Sequence, residues 1–511
     1  MLLTLAALVS TAAAEQFDVV VYAATSGGVV AAVAAAREGL KTALVEPGYH
    51  LGGMSSGGLG RTDHGRKETI GGYSLEFYQR VGKKYEEPVT WYFEPHVAEL
   101  VFQEMVKEAG VRLFTSHRLR GDGAVRKRSG RIREIYFENG ASFEGKIFID
   151  ASYEGDLMAR SNVSYTVGRE SSAVHGENLA GVRAKDRAHQ FDFPVPATPD
   201  VPAGPRGEIG SGDKKVQAYN FRMCLSSDPN NQVPYPRPRT FDASRYELLL
   251  RYIDAWISNK GKEPSIYGDL FIWSRMPNNK TDINNRGAFS TDHIGASWEY
   301  PEADHLKRMR IWQDHIDYTA GLFYLLANHE RVPQSIRTEI NKWGLAADEF
   351  GDTGNWPHQL YVREARRMVG DFVMTQKDIQ RELTKPDVIG MGSYNSDSHN
   401  VQRFVEKDGS AQNEGNMEVP VQPYQIPYRV LLPKKKQVLN LLVPVCVSSS
   451  HVAYSTLRME PVYMIMGQAA GVAAKLAIDS GKSVQDIDTR ALSDKLLKQG
   501  AVFSAGSAAR R

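Results

Sequence analysis

The stretch FDVVVYAATSGGVVAAVAAAREGLKTALVEPGYHLGGM, residues 17–54, decides how the rest of the chain is read. Residues 17–22 are a continuous apolar run, the pattern of a strand buried on both faces. Gly27-Gly28 and an alanine-rich run to Arg37 follow, which favours a helix, and Gly39 supplies its stop. A second short apolar strand over 42–45 ends at Glu46. This succession makes a dinucleotide-binding unit. The turn Ala24, Thr25, Ser26, Gly27 and Gly28 offers helix N–H groups to a pyrophosphate, and Glu46 accepts from a ribose hydroxyl. Of the G-x-G-x-x-G fingerprint only the third glycine survives, at Ala23, Thr25 and Gly28. Alanine at the first position costs little if its φ stays negative, and Thr25 offers a hydroxyl to the phosphates. The segment HLGGMSSGG over 50–58 holds two Gly-Gly pairs that let backbone approach a ligand closely. Pro47, Gly52, Gly53, Met54, Ser56 and Gly57 are therefore expected around the cofactor.

Residues 22–28 and 50–60 resemble the FAD-dependent oxidoreductases of the glutathione-reductase-like FAD/NAD(P)-binding superfamily. Within it the chain is similar to a bacterial FAD-dependent oxidoreductase family, some members of which carry a xanthan-lyase label. Thr25 matches that group, whereas Ala23 replaces its usual glycine. The resemblance implies bound FAD. It also places Asp150-Ala151-Ser152, with Asp156 beyond, at a strand end beside the flavin. A C-terminal return carrying Gly467 and Gln468 lays a helix N-terminus against the flavin pyrimidine. The strings SHVAY at 450–454 and LYVREARRM at 360–368 match the same group, as does the polar loop around His399.

Composition narrows the rest. A chain of 511 residues exceeds one simple core. With 42% hydrophobic and 24% charged residues it is ordinary globular protein, and a net charge of +2 implies neither nucleic acid nor an anionic membrane as partner. Two distant cysteines, Cys224 and Cys446, exclude a four-cysteine iron–sulfur cluster and a Cys-x-x-Cys redox pair. An apolar run over 2–9 followed by small residues reads as a signal peptide of residues 1–14, directing the protein to the periplasm or outside the cell.

The expected fold is α/β: a Rossmann-like FAD-binding domain with a parallel sheet and β-meander, split by a large α+β cap. Its first part spans 15–165, the cap 166–404, the C-terminal return 405–503 and a loose tail 504–511. Asn139-Gly140 signals a hairpin. Helices are expected over 94–109, 306–327, 331–342 and 460–478, and strands over 361–373 and 438–443.

No second dinucleotide site is expected, because Gly390-x-Gly392-x-x-Asn395 lacks the helix and acidic strand that give the motif meaning. Electrons then come from a small-molecule substrate and leave to oxygen or another carrier. His451 is a candidate base, taking a proton while hydride leaves; the alternatives are a donor to flavin O2 and a structural histidine. His399 is a second acid/base candidate, and His64 ranks below both. Arg363, in a run with Arg366 and Arg367, is a carboxylate anchor, against a solvated or domain-bridging arginine face. Asp282, Asn284 and Asn285 lie in an amide-rich segment suited to a polyhydroxylated ligand, with Trp273 and Trp298 nearby to stack on a sugar face; Tyr361 and Arg367 are further substrate-binding candidates. An Asx loop satisfying its own backbone is the plainer reading. No close histidine spacing indicates a metal, and no Gly-x-Ser-x-Gly elbow indicates a hydrolase. The sequence thus points to an FAD-dependent dehydrogenase or oxidase acting on a CH–OH or CH–CH group of a small polar, sugar-like or carboxylated substrate. The alternative is a carbohydrate-active lyase or binding protein in which FAD is structural or absent.

Overall fold

The structure, a computed structural model, describes residues 14–505 except 186–187, 203–204 and 239. All of the expected leader but Ala14, and all of the tail but its first two residues, lie outside them.

The quoted stretch folds as read. Strand β1 (Glu15–Tyr22), helix α1 (Ser26–Arg37) and strand β2 (Thr42–Val45) make a βαβ unit with β1 and β2 parallel. Two helices, α2 (Gly72–Lys83) and α3 (Pro95–Glu108), lead to β3 (Arg112–Phe114), which extends the parallel sheet beside β2. The meander β4 (Val125–Arg128), β5 (Arg131–Tyr136) and β6 (Ser142–Asp150) returns to the other side of β1. Its last strand is long enough to serve two neighbours. The first half of β6 pairs antiparallel with β5, and its second half pairs in parallel with Leu441–Leu442 from the far end of the chain. Only those two residues of the expected 438–443 strand pair.

Helix Glu460–Ser480 packs on α1 and joins the two ends of the polypeptide. Ten of the twelve α1 residues are buried, so α1 is apolar on every side because it is covered on every side. The crossing needs glycine: a Cβ on Gly467 would lie 2.1 Å from the Gly27 carbonyl oxygen, and one on Gly471 2.4 Å from that of Ala31. Among the described residues Glu460–Ser480 is the helix long and apolar enough to cross a membrane, and 83% of its apolar window is buried inside the fold.

The middle of the chain builds a second, all-antiparallel sheet in the order Phe271–Arg275, Lys280–Asn285, Met223–Ser226, Gly344–Ala346, Gln232–Val233. Helix His305–Asn328 lies in the same region. Here the amide-rich segment departs from the loop reading. Asn278 and Asn279, both at positive φ, form a tight turn, and Lys280–Asn285 is a strand. Of the arginine run only Arg366–Met368 is a strand; it pairs with Tyr165–Val167 and is buried, not solvated. Gly390 and Gly392 lie in the strand Val388–Gly392, paired with Tyr424–Pro427, which is no nucleotide loop. The hairpin Gln402–Val405 with Ala411–Glu414 crosses the boundary expected at 404/405. Cys224 and Cys446 are buried free thiols.

Replacing Gly467 by alanine tests the helix crossing. The helix-propensity gain of about 1 kcal/mol is outweighed by overpacking against a backbone carbonyl, for a net loss of roughly 1–2 kcal/mol. Urea unfolding of the purified protein measures it; a Gly467→Ala variant more stable than the parent contradicts the crossing.

Candidate active site

Two cavities share two chain segments as walls. The larger, about 690 Å³, opens at the α1 N-terminus. The smaller, about 170 Å³, is polar and lies under the second sheet. Gly53 and Gln359 line the first; Arg61 and Tyr361 line the second. The segments 53–61 and 359–361 therefore reach from one cavity to the other.

At the first cavity Thr25 caps α1: its hydroxyl accepts from Gly28 N–H (3.2 Å) and donates to the Ala151 carbonyl (2.8 Å). The hydroxyl proton is thus committed to Ala151 and not to a phosphate. This leaves the first-turn N–H groups of Ser26 and Gly27 for an anion. Ala23 departs from expectation, because its φ is +71°, in the left-handed region where glycine is usual. Glu46 closes the turn, accepting from the N–H of Ala24 (2.8 Å) and of Gly48 (2.7 Å). Burial pushes its carboxyl up to about 7 against those two bonds. Pro47 lines the same cavity. Gly52, at φ +102°, donates to the Ala24 carbonyl (2.7 Å) and lays the glycine segment beside the turn. Met54 N–H donates to the Tyr153 hydroxyl (2.9 Å), which donates to Glu460 (2.8 Å). Ser26 and Ser55 also donate to Glu460, a buried carboxyl raised to about 7 by burial. Sequence reasoning missed this hub, whose members come from four separate segments. Ser56 donates to the Leu51 carbonyl (2.5 Å), and Gly57 abuts Gln359, where a Cβ would lie 2.3 Å from the Gln359 Cβ.

Four of the expected cofactor residues have other work. Asp150 accepts from Ser152 and from Met158 N–H, fixing the turn after β6. Asp156 lines the first cavity, but Arg308 and Arg366 hold its oxygens; although burial alone would raise it, they bring the carboxyl down to about 2. Gly467 meets Gly27 in the helix crossing, and Gln468 accepts from Tyr73 N–H (2.9 Å).

In the second cavity His399 faces Asn284, Asn285 and Tyr361. Its Nδ1 is 2.7 Å from Asp292 Oδ2, and its Nε2 lies 4.0 Å from Asp397, beyond hydrogen-bond range. Burial, with Arg363 behind, lowers the imidazole to about 4, so it is neutral at pH 7. Burial alone would raise Asp292, but Arg363 and His399 hold its carboxyl at about 2. Nδ1–H then donates to an ionised Asp292 and Nε2 keeps its lone pair for the cavity. Asp292 is 107 positions from His399, and no local motif signals it. The Asn284 Oδ1 is buried and has no partner.

Arg363 does not line the cavity. It is fully buried behind Asp292, with Nη1 3.1 Å from Oδ1, in ion-pair range without hydrogen-bond alignment, and with Ala218 and Asn220 as acceptors. It therefore positions Asp292 and does not anchor a ligand carboxylate. Arg367 is likewise buried, against Glu364, Glu170 and two carbonyls. Asp282 forms a two-bond pair with buried Arg222 (2.7 Å each) and accepts from Arg61 N–H, so it too is occupied. His451 starts helix His451–Leu457 away from both cavities; its Nδ1 meets Glu364 (2.8 Å), and burial, with Arg367 and Arg169, lowers it to about 3. It is buried and held by a side-chain carboxylate rather than by backbone. His64 Nδ1–H donates to the Gly65 carbonyl (2.7 Å).

A parallel βαβ unit with an open helix N-terminus, an acidic residue at the β2 end and a glycine segment laid along the cavity define a flavin-dinucleotide-binding oxidoreductase. The chain belongs to the FAD dependent oxidoreductase family, whose model matches residues 18–496. No curated protein matches it by sequence. Solved structures share only fragments. T. acidophilum thioredoxin reductase is 18% identical over 27% of this chain and 35% of its own, with a TM-score of 0.17. Streptomyces rimosus OxyS anhydrotetracycline hydroxylase is 13% identical over 36% and 43%, at 0.23. Proteus vulgaris L-amino acid deaminase is 19% identical over 31% and 62%, at 0.21. The chain thus spans less than two thirds of the length of each.

Two substitutions separate structural from ligand-facing groups. Asp282→Ala strands a buried guanidinium and is expected to cost about 3–5 kcal/mol, whereas Asn284→Ala, which removes an unpartnered oxygen, costs under about 1 kcal/mol. Thermal unfolding compares them, and equal losses contradict the assignment. Ala23→Gly is expected to raise the urea midpoint by the equivalent of about 0.5–1 kcal/mol, and Ala23→Val to lower it by more than about 2 kcal/mol. A Gly variant less stable than the parent would falsify the left-handed turn.

Proposed function

We propose that the second cavity is the substrate pocket of a flavin-dependent dehydrogenase or oxidase, acting on a CH–OH or CH–CH group of a small polar, sugar-like or carboxylated substrate. The observation that carries the reading is the Asp292–His399 pair, with a free Nε2 among Asn284, Asn285 and Tyr361. Residues Ser26 to Gly28, Glu46 and the segment from Gly52 to Gly57 would hold FAD, and the open helix end beside a cavity lined by Glu46, Gly48 and Gly53 supports that fit. When bound, the flavin supplies the hydride acceptor.

His399 takes the substrate proton on Nε2. Asp292 keeps Nδ1 protonated, fixes the tautomer and stabilises the imidazolium that forms. Arg363 holds Asp292 ionised from behind. Asn284 Oδ1 accepts from a substrate hydroxyl, while Arg458, 3.2 Å from the Tyr361 hydroxyl, keeps that ring in place. The chemistry of amides and a neutral base suits hydroxyl-bearing substrates better than hydrophobic ones. Burial excludes water from the base.

Anaerobic bleaching of the yellow protein by a panel of sugars and hydroxy acids tests this reading. His399→Ala should retain flavin and slow its reduction by at least about a hundredfold. Asp292→Asn should do nearly the same. Because the base form exists above the histidine's lowered value, the reduction rate should be flat near neutrality and fall as pH drops through about 4. Unslowed reduction in His399→Ala removes the base, and unsaturated saccharide products without bleaching favour the lyase alternative.

A further inference from the structure

We propose that a groove on the outer side of the strand Phe271–Arg275 binds an acidic sugar unit, as an extension of the substrate pocket; the extension rests on the reading of the His399 cavity given above. The groove, about 460 Å³, is lined by Tyr267, Ile272, Trp273, Arg275, Arg286 and Trp343, together with Gly268. Its volume is that of a small-ligand site, on the order of 300–1,000 Å³.

Three aromatic rings form its floor. Trp273 stands between Tyr267 and Trp343, with centroids 5.1 Å from each and planes at 68° and 62°. Trp343 Nε1–H donates to the Tyr267 hydroxyl (3.0 Å), which ties the outer two rings together. The Trp273 Nε1–H is buried and has no partner. Buried indole N–H groups usually find one. A ligand hydroxyl or carboxylate would supply it.

Two arginines, Arg275 and Arg286, line the same groove. Among the described residues the guanidinium groups of Arg275 and Arg286 make no ion pair and no hydrogen bond. Elsewhere in the cap, arginines such as Arg222, Arg308 and Arg363 each face a carboxylate. Unpaired guanidinium groups beside aromatic faces suit a ligand with a planar anion on an amphipathic ring. A uronic-acid residue has both: C–H faces for the indoles and a carboxylate for the forks.

The groove and the cavity are two sides of one hairpin. Ile272 lines both. Its register partner is Asn284, and Arg286 directly follows the cavity-lining Asn285. A saccharide with one unit at His399 and another at the arginines would pass around the edge strand Phe271–Arg275 at Ile272. A pyridine dinucleotide fits less well, because no helix N-terminus lines the groove to take a pyrophosphate.

The experiment titrates flavin-loaded protein with a uronic-acid disaccharide, a neutral disaccharide and NADPH, reading tryptophan fluorescence and calorimetry. The acidic disaccharide should bind at least about tenfold tighter than the neutral one, with an advantage that shrinks at high salt. An Arg275→Ala/Arg286→Ala double variant, altered at two exposed positions, should keep its flavin spectrum and lose that advantage. Equal affinity for the two disaccharides, an advantage that survives in the double variant, or NADPH displacing the acidic disaccharide each overturns the groove assignment. Failure here is separable from failure of the pocket reading. If the acidic preference is missing while small sugars still bleach the flavin through His399, only the groove assignment falls. If the preference is present and His399→Ala reduces normally, the groove stands and the pocket reading falls.

Discussion

The contact between α1 and helix Glu460–Ser480 is the constraint on which the rest depends. Two helices approach backbone to backbone only where no side chain intervenes, and Gly27, Gly467 and Gly471 provide that. The approach brings Glu460 against Ser26, Ser55 and Tyr153. It also brings Leu441–Leu442 into the parallel sheet beside β6. The cofactor unit is therefore a composite of the first and last parts of the chain, and the middle is held against it by segments 53–61 and 359–361.

The second organising force is buried charge. Arg222, Arg363, Arg367 and Arg458 are almost wholly buried, and each meets a carboxylate or several carbonyls. Such pairs add little net stability, since desolvation offsets most of their attraction, but a broken pair is costly. Their effect is geometric. Arg222 and Asp282 pin the second sheet behind the cavity, and Arg363 pins Asp292, which orients His399. The cavity wall mixes neutral groups, His399, Asn284, Asn285 and Tyr361, with charged ones, among them Arg61, Asp63 and Arg222.

Local pattern made the βαβ unit, the hairpin at Asn139-Gly140 and the long helices legible, because each is specified by contacts within a few residues. Glu46 and the glycine segment were legible for the same reason. The cap was harder. Its amide-rich strand reads as a loop because asparagine disfavours strands, and tertiary pairing overrode that preference. The choice between His451 and His399 was not decidable from local context: both sit in Ser-His surroundings, each gives Nδ1 to a distant carboxylate, Glu364 or Asp292, and only the place of His399 on a cavity wall separates them. Alanine at position 23 misled in the opposite direction, since its small side chain tolerates a left-handed turn that φ alone would assign to glycine.

The pairing of Leu441–Leu442 with β6 has a temporal consequence. A ribosome finishing β6 has roughly 330 residues still to add before Glu460–Ser480 emerges, about 15–65 s at ordinary elongation rates. Throughout that interval the nascent α1 shows its apolar surface without its covering helix, and the last parallel strand position of the sheet is vacant. Covering of α1 thus waits on translation of the last long helix, and its apolar surface needs shielding until then.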